Sequence, residues 1–167
     1  MDAGGIARVH VETWRTAYAG LLPDDYLVQM SEPRRQAWWR ESIGRRKAGI
    51  VRVATAADGT VVGFGNAGRT RTPSLPYAGE IYTLYVLPDW QERGIGRRLV
   101  RSLFEELAAA RLRSVMLWVL AGNPSRFFYE GMAGKAVGTR MESFAGTRLA
   151  ETAYGWDDLP GWLARRR

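Results

Sequence analysis

A chain of 167 residues with no cysteine and a single histidine is long enough to bury one core, yet it lacks the atoms for several kinds of chemistry. Disulfides, zinc–cysteine sites and a cysteine nucleophile are excluded, His10 would have to serve any serine–histidine triad, and histidine metal centres are almost ruled out. Lys plus Arg number 24 against 17 Asp plus Glu, for a net charge of +7 with Lys47 and Lys135 the only lysines; this reads mainly as a coding bias toward Arg, Ala and Gly, with an anionic ligand or nucleic acid as the functional alternative.

The opening "MDAGGIARVH" has no basic region followed by an apolar run, and no stretch reaches membrane-spanning length. A soluble, cytoplasmic protein of one domain over residues 1–167 is expected. Ile6, Val9, Trp14 and Ala17 recur at helical spacing and predict an amphipathic helix that stops at Gly20 and Pro23. "PDDYLVQM" and "EPRRQAWWRESI" predict two more helices, the latter with Pro33 near its start, where a missing N–H does no harm. Trp38 and Trp39 cannot share one buried face, so one of them is expected to line a pocket or an interface.

Strands are predicted at Ile50 to Thr55 and Val61 to Asn66, joined by a turn around Ala57, Asp58 and Gly59. "RTRTPSLPYAG" reads as a loop and "EIYTLYVL" as a strong strand. Leu99, Val100, Leu103, Phe104 and Leu107 mark one face of a helix after Gly96, and "SVMLWVL" reads as a buried strand. Asn123 and Pro124 are expected to be the N-cap and first residue of a short helix through "SRFFYEGM". Two strands follow around Phe144, Ala145 and Gly146, and "ARRR" at residues 164 to 167 reads as a solvated end.

Between the strand and the long helix lies "VLPDWQERGIGRRLV", a glycine corner rich in arginine. Unpaired N–H groups and the positive end of a helix face one anion in such a place, and Gly94 and Gly96 allow unusual dihedrals and close approach, so phosphate is the natural occupant. A P-loop needs Gly-Lys-Ser/Thr, whereas Arg97 follows Gly96; a dinucleotide fingerprint needs glycine where Leu99 stands. The pattern Gln91-x-x-Gly94-x-Gly96 after "LYVLPDW", together with "WVLAGNPSRFFYEGMAG", resembles the GCN5-related N-acetyltransferase family, and the resemblance extends from the first helix to "AYGW".

That resemblance implies a mixed α/β (α+β) fold: a mainly antiparallel central sheet, helices on both faces and a splayed central strand pair. The strand that usually precedes the first helix is truncated or absent here, which would expose a sheet edge and points to a homodimer. The implied reaction is direct transfer of acetyl from acetyl-CoA to a primary amine of a small molecule or peptide in a ternary complex, with no metal and no membrane. By resemblance Gln91 belongs to the cofactor site, the backbone of Glu92, Arg93, Gly94, Ile95, Gly96 and Arg97 cradles pyrophosphate, and Leu84, Tyr85 and Val86 pair with the pantetheine arm, a backbone N–H near Val86 meeting the oxyanion. Asn123 would bond that arm as well as cap its helix. Tyr129 would protonate the departing sulfur, which needs close contact because a phenol is a weaker acid than a thiol. Trp118 stands where some members place a basic glutamate, so Glu80 is the substitute proton acceptor, with an ordinary solvated carboxylate at a strand end as the equal alternative and an amine that arrives neutral, needing no base, as a third. Trp14 and Tyr18, four residues apart, would wall the acceptor site, though core packing is the alternative, favoured for Trp14. A catalytically silent acyl-CoA sensor and a nucleic-acid-binding module are the other readings; dispersed charge and the lack of a nucleic-acid motif weigh against the latter.

Overall fold

The structure, a computed structural model, describes residues 2–165. Helix α1 (Ala3–Ala17) begins where the Asp2 carboxylate accepts from the Gly5 N–H at 2.9 Å, and α2 (Asp24–Val28) and α3 (Glu32–Gly44) follow, the last capped by Ser31. Strands β1 (Ile50–Thr55), β2 (Val61–Arg69) and β3 (Gly79–Val86) form an antiparallel meander; α4 (Ile95–Ala109) leads to β4 (Val115–Leu120), and α5 (Arg126–Gly131) to the hairpin β5 (Lys135–Phe144) and β6 (Thr147–Trp156). The six-stranded sheet runs β1-β2-β3-β4-β6-β5 and is antiparallel except between β3 and β4. β1 is an edge strand. This is the mixed architecture expected from the sequence, with helices on both faces.

Two corrections concern local elements. Asn123 does not cap α5: Ser125 holds the cap position, while the Asn123 carboxamide oxygen accepts from the Ser125 N–H at 2.9 Å and closes a turn before the helix. A helix that the sequence reading did not include follows β6: Leu159–Arg165 forms α6, with Leu159 and Trp162 buried against Phe104 and Met132. Within the expected solvated "ARRR", Ala164 and Arg165 are exposed, and Arg166 and Arg167 lie outside the described residues.

Alternation along β2 sets the two layers. Phe64 meets Trp39 and His10 on the face of α1 and α3, whereas Gly63 and Gly65 turn toward Leu99 and Leu103 of α4. A β-carbon on Gly65 would stand 2.9 Å from the Leu103 side chain, so missing side chains set how closely α4 can lie. Trp39 is buried and its neighbour Trp38 half-exposed, as one helix face requires.

Only two residue pairs join β3 to β4, Gly79 to Val115 and Glu80 to Met116; beyond them the strands separate. Against β2, Asn66 pairs with Thr83 and Ala67 with Ile81, which leaves Tyr82 as an extra residue on β3, a bulge of the kind that bends a strand. The central pair is therefore splayed.

His10 is structural. Its Nδ1 accepts the Trp39 indole N–H at 3.2 Å among the rings of Trp14, Phe64 and Tyr85, and burial, helped by the Arg35 charge, pushes its pKa down to about 3. The unfolded chain, with histidine near 6.5, therefore binds the proton first as pH falls. The corresponding stability is fully present above about pH 6.5, is reduced by roughly 2 kcal/mol at pH 5, and continues to fall toward pH 3. Urea unfolding at pH 7 and pH 5 should show His10→Gln losing about 2 kcal/mol less between the two than the parent does.

Candidate active site

The corner between β3 and α4 is built by backbone conformation. After a 3₁₀ turn at Pro88–Trp90, Glu92 and Gly94 both take positive φ, 59° and 74°, on either side of Arg93. Such alternation turns successive N–H groups toward one side. No N–H from Glu92 to Arg97 donates to another described residue, and α4 has no side-chain cap. The Gln91 side chain donates to the Val86 carbonyl at 3.0 Å and ties the corner to the end of β3. A 15-residue helix with a row of free amides at its N-terminus suits a phosphate-bearing ligand.

The two glycines do different work. Gly94 supplies the left-handed conformation. Gly96 is helical, and the space a β-carbon would need lies 3.3 Å from the Phe128 ring on α5. Arg93 stacks over Trp90 at 5.0 Å, and Arg97 is exposed. Glu92, in the left-handed region without being glycine, is the feature that sequence reading did not flag.

Tyr129 follows Phe128 and is 7 % exposed; burial, with a smaller effect of Tyr85, raises its pKa above the ordinary phenol value. Its hydroxyl makes no hydrogen bond to a described residue. It packs among Phe128, Tyr154 and Trp156 on the α4 and α5 side of the sheet, yet its charge-bearing end is felt by Tyr85 and Tyr18, which belong to the opposite side.

On that opposite side Tyr85 Oη accepts the Trp14 indole N–H at 2.9 Å, and Trp14 and Tyr18 stand edge to face at 4.8 Å. Burial raises the pKa of Tyr18 and Tyr85, so both hydroxyls stay neutral. Trp14 is thus half-buried with a polar partner, joined by Tyr18, Leu22, Phe144 and Leu149 in one cluster. Asn123 is 8 % exposed, its carboxamide NH2 without a partner among the described residues.

Glu80 is brought to the point where β3 and β4 part, but it is no solvated strand end. It is 4 % exposed; the Arg71 N–H and Thr72 hydroxyl donate to one oxygen at 2.7 and 3.4 Å, and the Arg71 guanidinium donates to the other at 3.1 Å. Thr72 in turn accepts the Trp118 indole N–H at 3.0 Å. The carboxylate thereby fastens residues 70–78 over Met116 and Ala153, where Tyr77 is buried.

The same face holds Glu151, which sequence reading missed. It is 6 % exposed and accepts from Arg140 Nε at 2.6 Å, while the Arg140 guanidinium lies 4.2 Å over the Trp118 ring. No spacing rule singles it out, because its neighbours come from three other strands and from α1.

The chain belongs to the acetyltransferase (GNAT) family, whose model matches residues 10–134. It is 35 % identical over 158 residues, covering 95 % of this chain and 89 % of the relative, to YuaI of Bacillus subtilis, an uncharacterized N-acetyltransferase. In fold it is similar to an N-acetyltransferase from Staphylococcus aureus Mu50, with a TM-score of 0.69 at 22 % identity and coverage of 95 % and 93 % of the two chains. It is also similar to the acetyltransferase yncA from Salmonella typhimurium, solved with its cofactor acetyl-CoA, with a TM-score of 0.65 at 19 % identity and coverage of 95 % and 88 %. Among the described residues no helix is long and apolar enough to cross a membrane.

A β-carbon on Gly94 meets nothing nearer than Arg98 Nη1 at 3.6 Å, so Gly94→Ala should cost only the left-handed backbone term, about 1 kcal/mol. Thermal unfolding should register a drop of about 3 °C.

Proposed function

We propose that the protein is an N-acetyltransferase that moves an acetyl group from acetyl-CoA directly to a primary amine of a small molecule or peptide. The observation that carries this is the row of six amides, Glu92 to Arg97, left without partners among the described residues where β3 has parted from β4. Family membership and a fold shared with a relative solved with acetyl-CoA support it.

In this reading the corner amides and the N-terminus of α4 hold the pyrophosphate, with charge added by Arg93 and Arg97. The edge of β3 at Leu84, Tyr85 and Val86 has lost its strand neighbour and pairs with the pantetheine arm, which the Asn123 carboxamide also meets. Acetyl-CoA supplies an activated acyl thioester. Trp14 and Tyr18 wall the acceptor side. A backbone N–H near Val86 serves the oxyanion as a fixed dipole.

Tyr129 holds the proton destined for sulfur. Burial keeps the phenol protonated but makes its release harder, so transfer depends on contact with the sulfur as charge develops there. A cysteine-free chain has no acyl-cysteine route, which leaves direct attack by the amine.

Calorimetric titration of acetyl-CoA should show micromolar binding that Gly96→Trp abolishes, because the new side chain must displace Phe128 and fill the corner; circular dichroism checks that the variant folds. Tyr129→Phe should bind acetyl-CoA as the parent does and lose about 100-fold in kcat. Full turnover by Tyr129→Phe at every pH would remove the acid role.

A further inference from the structure

Glu151 is the buried carboxylate to which no role has yet been given, and its surroundings are specific. Alternation along β6 places it on the face of Leu149, which packs with Trp14 and Tyr18, and of Ala153, which packs with Tyr77 and Met116. It pairs in register with Leu120, the last residue of β4, on the part of that strand that has left β3. It therefore sits between the aromatic wall of α1 and the loop fastened by Glu80.

Its two oxygens differ. Oε2 is taken by Arg140; Oε1 accepts nothing from a described residue and is not sealed from solvent. Glu80, by contrast, has donors on both oxygens. The charges facing Glu151 are few: from β5, Arg140 and, 3.7 Å from that guanidinium, Glu142; from α1 and β3, the neutral hydroxyls of Tyr18 and Tyr85, both within its electrostatic reach; from β4, the uncharged Trp118 and Leu120. Arg35 of α3 also acts on Tyr85 from beyond the aromatic wall, so Arg140 is the one arginine bonded to Glu151 itself and it is shared with the half-exposed Glu142. A buried carboxylate with one oxygen unengaged beside an aromatic wall is suited to an alkylammonium.

We propose that Glu151 binds the ammonium group of the acceptor and takes its proton, which makes the acceptor a cationic primary amine. This rests on the acetyl-transfer reading above. The balance is complete: an ammonium sheds two protons on becoming an amide. One passes to Glu151 and on to solvent, freeing the nitrogen lone pair to bond the acetyl carbon. The carbon–sulfur bond breaks with its electron pair on sulfur, which takes the Tyr129 proton, and the second nitrogen proton restores the phenol.

The test is the shape of the pH profile on a panel of polyamines, amino alcohols and lysine-containing peptides. An enzyme that binds the ammonium and removes its proton keeps log kcat/KM level from about pH 6.5 to 8.5, below an amine pKa near 10. Glu151→Gln must wait for neutral amine, so its log kcat/KM should climb about tenfold per pH unit over that range, with Glu151→Asp returning toward the level profile. Glu80→Gln, whatever it does to the rate, should keep the level shape. A Glu151→Gln profile parallel to the parent's, at any rate, would reduce the residue to a cross-strand partner of Arg140 and overturn the proposal. Calorimetry with the same amines and no acetyl-CoA gives a readout free of turnover: at pH 7 the parent should bind at least tenfold more tightly than Glu151→Gln, and equal affinities overturn the proposal. A parent protein that fails to bind acetyl-CoA strikes the acetyl-transfer reading instead, while the amine titration still decides Glu151.

Discussion

The separation of β3 from β4 after two residue pairs is the constraint on which the rest of the site depends. Each strand is committed elsewhere: β3 makes seven pairs with β2, and β4 makes six with β6. The bulge at Tyr82 bends β3 just past the junction, and the Gly63 and Gly65 contacts with α4 fix where its outer half lies. A continuous sheet would separate its two faces completely. Across the sheet that is so opened, Tyr129, carried by a helix on one face, acts electrostatically on Tyr18 and Tyr85 of the other.

The amide corner and that tyrosine are linked mechanically. Phe128 fills the space above Gly96, so the first turn of α4 and the short α5 are packed against each other through its ring. Gln91 ties the same corner to the Val86 carbonyl. A shift of the corner is thus passed to both sides of the gap, to the end of β3 by a hydrogen bond and to Tyr129 by its adjacent residue. Interiors this close-packed transmit small displacements rather than absorbing them.

Much of this was legible in the sequence because its signals are local. Periodicity located α1, α3 and α4, β-branched and aromatic runs located β3 and β4, and the glycine spacing identified the corner along with its resemblance to a family. What escaped depends on partners distant in the chain. Asn123 offers the same carboxamide to a cap or to a turn two residues on, and only the dihedrals of Pro124 and Ser125 decide between them. α6 is a single short turn-rich stretch whose helix exists because Trp162 finds Phe104 and the Met132 carbonyl. The burial of Glu80 needs Arg71 and Thr72 to fold back over it, and Glu151 acquires its neighbours only through the register of β6.

The two buried carboxylates on one face show how occupancy separates roles that residue type cannot. A buried charge is costly unless it is paired, and both are paired with arginine. At Glu80 the pairing is saturated by donors from one nine-residue loop, so its electrostatic attraction is spent on holding that loop against the sheet. At Glu151 the partner is shared with Glu142 and engages one oxygen only, so attraction is left over. Leftover attraction in a desolvated place is a binding potential for a cation, and it lies on the side of the gap opposite the buried Tyr129, whose role in the proposed reaction is to give a proton rather than to receive one. In the proposed reaction, proton acceptor and proton donor thus approach from opposite faces of one sheet, beside the place where two strands fail to pair.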